Sequence, residues 1–296
     1  MERKIDFWII GASKAGSTSL NDYLTQHPHI YLPWEKDYNV LIREDMYEQR
    51  EKYFRMMYKG LRHEKIVGGA LAESMYFPYV AERLFALNQQ MKILAILRNP
   101  IDRAYSSYWY NRRNGWEPCQ TFEEALKKES SRSQGTLLEQ CTLTYLRHGH
   151  YYEQLRRYEK IFGFDNMYIT FTDDLQGSPE KTIRNILIWL GTEPDCSMID
   201  FSRRSNEASM PRYPWLQHIL MSPDSLYRRL ARKMIPLSLQ KPIMRHFVFK
   251  LTEEKNLQPF RYPPMHPDTH KQLIDYYTPH NRELSKMVGR NLSHWQ

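Results

Sequence analysis

The sequence predicts an α/β fold: a parallel β-sheet flanked by helices, in a single domain. Three observations predict it. Short apolar runs recur along the chain at Ile5–Ile10, Met91–Leu97 and Met167–Phe171. Stretches of helical period lie between and after them, and such alternation builds parallel sheets. The first run also empties into the glycine-bracketed stretch Gly11-Ala12-Ser13-Lys14-Ala15-Gly16-Ser17-Thr18, a strand–turn–helix junction.

Taken in order, Ile5–Ile10 is short, apolar and ended by Gly11, as a strand buried on both faces should be. A helix over Thr18–Gln26 follows, and His27-Pro28 stops it. Lys65–Gly68 reads as a short strand. Met91–Leu97, MKILAIL, is the second strong buried strand. It runs into Arg98-Asn99-Pro100, and a helix begins near Asp102, a good N-cap residue. Thr121 with Glu124 three places on has capping-box spacing and opens a helix over 121–129. Residues 142–162 read as one long amphipathic helix. Met167–Phe171 is the third strand, followed by Asp173-Asp174 and a helix over Pro179–Leu190 that Gly191 closes. From 203 to 267 the chain is less periodic and richer in Pro, Arg and Tyr. A helix over Pro267–Tyr277 precedes a shorter one ending near Leu292. No internal repeat and no low-complexity tract interrupts this order.

The 296 residues suffice for one large domain with a sizeable core. The formal net charge of +8 favours anionic partners such as nucleotides or sulfated and carboxylated compounds. Basic residues do not alternate with aromatics in a stripe, so no nucleic-acid partner is expected. The three cysteines, Cys119, Cys141 and Cys196, form no CxxC pair, which argues against a thiolate zinc site and a disulfide framework. No apolar run approaches the ~20 residues of a membrane span. A soluble, cytoplasmic chain is the expectation.

Gly11 and Gly16 have the four-residue gap of a P-loop. Glycines let backbone N–H groups wrap a phosphate, and the following helix points its positive end at it. Ser17, however, stands where a nucleotide triphosphatase keeps its lysine, and Lys14 lies inside the loop instead. A lysine there meets the terminal group of a bound nucleotide near the bond being broken. No acidic metal-holding segment follows, so a transfer without metal is expected. A second anchor is Arg98-Asn99-Pro100-Ile101-Asp102-Arg103-Ala104-Tyr105-Ser106. A parallel sheet brings its strand ends to one edge, where ligands bind. Arg98 as a fork donor and Ser106 as a hydroxyl donor fit a second phosphate.

GASKAGSTSL together with LRNPIDRAYSSY resembles the two binding signatures of sulfotransferases that use 3'-phosphoadenosine 5'-phosphosulfate (PAPS), in particular the heparan sulfate branch and its bacterial relatives. HPHIYLPWEKDYNVL, HGHYYEQLRRYEKIFG and LIDYYTPHNRELSKMVGRNLSHW resemble further segments of that family in the same chain order. The resemblance thus implies one sulfotransferase domain over 1–296, with an acceptor-side insertion at roughly 203–266.

The resemblance also implies roles. Lys14 binds the 5'-phosphosulfate and stabilises charge on the leaving oxygen, consistent with a fixed cation where negative charge grows. Backbone groups of Ala15, Gly16, Ser17 and Thr18, with the two hydroxyls, cradle the 5'-phosphate. Arg98 and Ser106 hold the 3'-phosphate. Arg261, in PFRYPPMHP, matches a basic loop over the cofactor, although the glycine usual beside it is missing. The acceptor hydroxyl needs a base within hydrogen-bond reach. The family's glutamate corresponds to Asp37, one methylene shorter, with Lys36 and Glu35 beside it. Glu73, in GGALAESMYF, is a second candidate, placed on one strand face with Leu71. His27, His63, His148 and His150 are alternatives of the kind another branch uses. The implied reaction is in-line transfer of a sulfuryl group to a hydroxyl of a small-molecule or saccharide acceptor. A small-molecule P-loop kinase and a non-catalytic binder of anionic glycans are the competing readings.

Overall fold

A computed structural model describes residues 4–33, 39–202, 209–221 and 256–295. In chain order its elements are β1 (Phe7–Gly11), α1 (Ser17–Thr25), β2 (Ile30–Tyr31), α2 (Glu44–Tyr47), α3 (Arg50–Met57), β3 (Ile66–Ala70), α4 (Pro78–Leu87) and β4 (Lys92–Leu97). Then come α5 (Pro100–Arg113), α6 (Phe122–Lys127), α7 (Glu129–Arg132), α8 (Tyr151–Phe162), β5 (Met167–Phe171), α9 (Thr172–Gly177) and α10 (Pro179–Leu190). The last are β6 (Ser209–Pro211), α11 (Pro214–Met221), β7 (Leu257–Pro259) and α12 (Pro267–Val288).

The chain packs as two compact units, one of residues 1–103, 147–205 and 272–296, the other of 104–146 and 206–271. The first holds a five-stranded sheet in the order β2-β3-β1-β4-β5. Every neighbouring pair is parallel, as the alternation of strands and helices predicts. The central strand β1 is buried along its whole length, and so is β3. This is why both read as unbroken apolar or small-residue runs instead of alternating ones. The glycines of β3 answer to β1. A Cβ on Gly69 would stand 2.2 Å from the Trp8 ring, and one on Gly68 2.3 Å from that of Phe7. Two large aromatics therefore fit on one strand only because the neighbour has no side chains there. Helices flank the sheet in pairs, α4 with α8 and α1 with α10.

The second unit contains the antiparallel pair β6–β7 and a buried polar knot. Glu117 accepts from Nη1 and Nη2 of Arg132 at 2.8 Å, from the Tyr145 hydroxyl at 2.7 Å and from the Cys119 N–H at 2.8 Å. Burial opposes charge on Glu117, but these donors outweigh it and hold the carboxyl below its ordinary value. Thr121 and Glu124 form both halves of the expected capping box.

Several boundaries differ from the sequence reading, each for a physical reason. The helix read over 142–162 breaks into a π-helical turn at Glu139–Leu143, a 3-10 turn at Arg147–Gly149 and α8. Gly149 is pressed so closely on Pro100 and Tyr277 that a Cβ would stand 2.8 Å from each. The Tyr145 N–H goes to the Glu129 carboxylate, not to a helical carbonyl. Helix α5 begins at Pro100, not near Asp102. Asn99 caps it, its Oδ1 accepting the Ile101 N–H at 2.9 Å. The two C-terminal helices read around Pro279 are one, α12, with Pro279 inside it. Most of the segment read as an acceptor-side insertion, 203–208 and 222–255, lies outside the described residues.

Candidate functional site

The loop between β1 and α1 turns on unusual backbone angles. Gly11 has φ 141°, and a Cβ there would stand 2.6 Å from the Ala72 carbonyl oxygen. Gly16, at φ 99°, is the N-cap of α1. Between them Lys14 sits at φ 65°, the one non-glycine with positive φ among the described residues. A non-glycine residue in that region costs on the order of 1 kcal/mol, and such residues persist where their surroundings over-determine them.

Those surroundings are explicit. The Ala12 N–H donates to the Ile96 carbonyl on β4 at 2.7 Å, and the Ala15 N–H to that of Ala12 at 3.2 Å. The buried Thr172 hydroxyl lies 2.6 Å from the Ala15 carbonyl oxygen and 3.1 Å from that of Leu97. Arg98 Nη1 donates to the Lys14 carbonyl oxygen at 3.3 Å. The loop is thus tied to the ends of both β4 and β5. Helix α1 leaves its first amides without intrahelical acceptors, and it has no acidic residue in its first turn. Its positive end is uncompensated by its own sequence, as an anion cradle requires.

Arg98 closes β4, half-buried, and its carbonyl accepts the Tyr151 hydroxyl at 3.0 Å. Because β1, β3 and β4 are parallel, Lys14, Glu73 and Arg98 all follow carboxyl ends of strands on one edge of the sheet. Glu73 does not continue β3, contrary to its placement on a strand face with Leu71. It lies in a turn over 72–76, half-buried, with its carbonyl accepting the Tyr76 N–H at 3.1 Å. Main-chain bonds from Leu71 to Ile9 and from Met75 to Ile10 dock this segment on β1. From α8, Tyr158 donates to the Ser74 carbonyl at 2.7 Å and Arg157 to that of Met75 at 2.7 Å. Asp37, with Glu35 and Lys36, lies outside the described residues.

Ser106 and Arg261 belong to the second unit. Ser106 stands half-buried on α5 between Tyr105 and Trp109. Arg261 is exposed, flanked by Phe260 and Tyr262. Tyr262 stacks on Trp109 at 5.6 Å and Phe260 lies 5.7 Å from the same ring, while the Tyr105 hydroxyl donates to the Pro263 carbonyl at 2.8 Å. Trp109 and Tyr105 therefore fasten the Arg261 loop to the helix that carries Ser106.

Of the histidines, His27 is engaged at both ring nitrogens. Its Nδ1 accepts the His29 N–H at 3.2 Å, so Nε2 carries the proton and donates to the Glu193 carbonyl at 3.1 Å. Burial lowers its pKa. His148 is buried and stacked on Tyr76 at 4.1 Å. His63 is exposed.

Sequence reasoning missed Thr172, Tyr151, Arg157 and Tyr158. Tyr151, Arg157 and Tyr158 lie within the HGHYYEQLRRYEKIFG segment, which names no role for them, and Thr172 stands in no motif; each acts on a carbonyl far away in the chain. The helical period read over 142–162 carried the other signal, by marking one helix face as buried.

Comparison with known proteins agrees with this fold. The sulfotransferase domain model matches residues 4–226. The membrane-associated sulfotransferase kil1 of Dictyostelium discoideum is 28% identical over 166 residues, 53% of this chain and 34% of that protein. The human bifunctional heparan sulfate N-deacetylase/N-sulfotransferase 2 is 23% identical over 302 residues, 98% of this chain and 30% of that protein. The chain therefore spans about a third of the length of these relatives. The crystal structure of a sulfotransferase from Alicyclobacillus acidocaldarius superposes with a TM-score of 0.71 at 25% identity, covering 99% of both chains.

Proposed function

The chain belongs to the sulfotransferase domain family, and on that premise we propose that it moves a sulfuryl group from PAPS to a hydroxyl of a small-molecule or saccharide acceptor. The observation that carries this reading is Lys14, a cation at positive φ in a loop that Arg98 and Thr172 tie to the strand edge, beside the uncompensated start of α1. The residues present fit the donor: a glycine-bracketed turn, free helix amides and two cations suit a nucleotide with several anionic groups.

In the reaction, the S–O bond to the 5'-phosphate breaks as the acceptor oxygen forms its bond to sulfur. A carboxylate, Asp37 or Glu73, takes the acceptor's proton. Charge then grows on the departing phosphate oxygen, where Lys14 and the Ala15–Thr18 amides oppose it. Arg98 and Ser106 hold the 3'-phosphate, and Arg261 covers the nucleotide. None of these steps requires a metal ion. Similarity over 98% of this chain to part of a heparan sulfate N-deacetylase/N-sulfotransferase supports a saccharide within the acceptor class.

The test is an acceptor panel of hydroxylated saccharides and small molecules, read by formation of 3'-phosphoadenosine 5'-phosphate from PAPS. Acceptor-dependent release of that product is expected. Release of ADP from ATP with the same panel, and none of the bisphosphate, would return the reading to a kinase.

A further inference from the structure

We propose that His150, Glu153 and His280 form a binding site for a divalent transition metal of the zinc class, clasping the start of α8 to α12. Each residue offers one ligand atom, and the three atoms lie within 4.8 Å of one another. The site lies entirely within the first unit.

The sequence places two of the ligands and the tertiary fold the third. His150 is the N-cap residue of α8, and Glu153 stands three places on, in its first turn. That spacing puts both on one face. His280 comes from α12, 130 positions later, with Nδ1 2.6 Å from Glu153 Oε1. The two imidazoles stack with centroids 4.2 Å apart and planes within 14°. Tyr276, one turn before His280, has its hydroxyl 2.8 Å from His150 Nε2 and supplies a polar neighbour at the rim.

Ligand atoms bonded to one zinc at about 2.0–2.2 Å stand roughly 3.4 Å apart in a tetrahedron. Glu153 is exposed and His280 half-buried, so small side-chain rotations close the remaining gap. Two imidazoles and one carboxylate are a nitrogen–oxygen donor set of the kind zinc, nickel and copper take. Three protein ligands leave a position for water. The adjacent Tyr151 holds the Arg98 carbonyl, so an ion here also steadies the strand end that carries Arg98.

The full chain, purified without a polyhistidine tag and stripped with chelator, is titrated with zinc chloride alone by calorimetry and by thermal melting. One equivalent should bind with Kd of about 1 μM or tighter and raise the Tm. His280→Ala and Glu153→Gln should weaken binding by at least the roughly 10- to 100-fold that losing an outer-shell partner alone costs, and abolish the rise in Tm. Cobalt(II) in place of zinc should give visible absorption in the parent chain and not in His280→Ala. Less than one equivalent bound by the parent, or equal affinity in parent and variants, overturns the proposal. Glu153→Gln, a surface change, decides the matter if His280→Ala melts low without metal.

Discussion

Arg98 Nη1 donates to the carbonyl oxygen of Lys14 at 3.3 Å, which ties two motifs 84 residues apart into one edge. The bond is made by one cation to the backbone of another. It fixes the loop backbone from which the Lys14 side chain departs.

The first prediction separates that backbone from the side chain. Lys14→Ala and Lys14→Gly both remove the ammonium group, and both should lower kcat by about 10²–10³-fold, the loss typical of one charge-stabilising donor. The glycine variant should nevertheless be the more stable of the two by about 1 kcal/mol, because φ 65° costs it nothing. Denaturant melts and steady-state rates of the pair check this. Equal stability would mean that the loop gives up its positive φ once the lysine is gone.

Thr172 supplies a buried hydroxyl to two carbonyls, those of Ala15 and Leu97. Thr172→Val keeps the shape and strands both acceptors, at a cost of about 1–3 kcal/mol. Because one of them belongs to the loop, the KM for PAPS should rise as well. Thr172→Ser should restore both readouts, which a purely steric role for the methyl group would not allow.

His27 sets a pH dependence. Its native-state pKa lies below the ordinary 6.5, because burial disfavours the cation and Nδ1 accepts the His29 N–H. As pH falls below 6.5 the unfolded chain therefore takes up the proton first. The contribution of this neutral histidine is fully present above 6.5 and lost progressively on acidification. Urea unfolding at a series of pH values should show a slope in this window, and His27→Gln should flatten it. An unchanged slope in the variant would assign the titration to another group.

Glu117 and Arg132 make a buried pair in the second unit, with side-chain exposures of 0% and 5%. Glu117→Gln leaves the guanidinium buried without its counter-charge and should cost about 3–5 kcal/mol. Replacing the two together by Leu and Met should recover much of that loss. Since the carboxyl is held below its usual 4.5, its contribution is present above pH 4.5 and disappears as pH falls through the lowered value. Unfolding free energies of the single and double variants at pH 7 and pH 4 provide the check.

Local pattern made much of the fold readable. Strand β5 and helix α10 fall where their apolar runs and flanking residues place them, because a buried run closed by Asp, Pro or Gly leaves few alternatives. Glu73 shows the limit. Its spacing from Leu71 reads as a strand face, but main-chain bonds to Ile9 and Ile10 fold the segment into a turn on β1. The break at Gly149 is equally invisible in the 3.6-residue period of 142–162, since it depends on Pro100 and Tyr277.

By itself the sequence determined a parallel sheet, a glycine-bracketed anion loop with its lysine inside, and an arginine at the next strand end. These follow from residue type and short-range spacing, where backbone freedom and charge are written directly. Tertiary structure alone decided the tether of the Lys14 loop to Arg98 and Thr172 and the meeting of Glu153 with His280. Each requires groups separated by more than 80 residues to come within bonding distance. That proximity is set by the register of strands and the docking of helices, which no local pattern encodes.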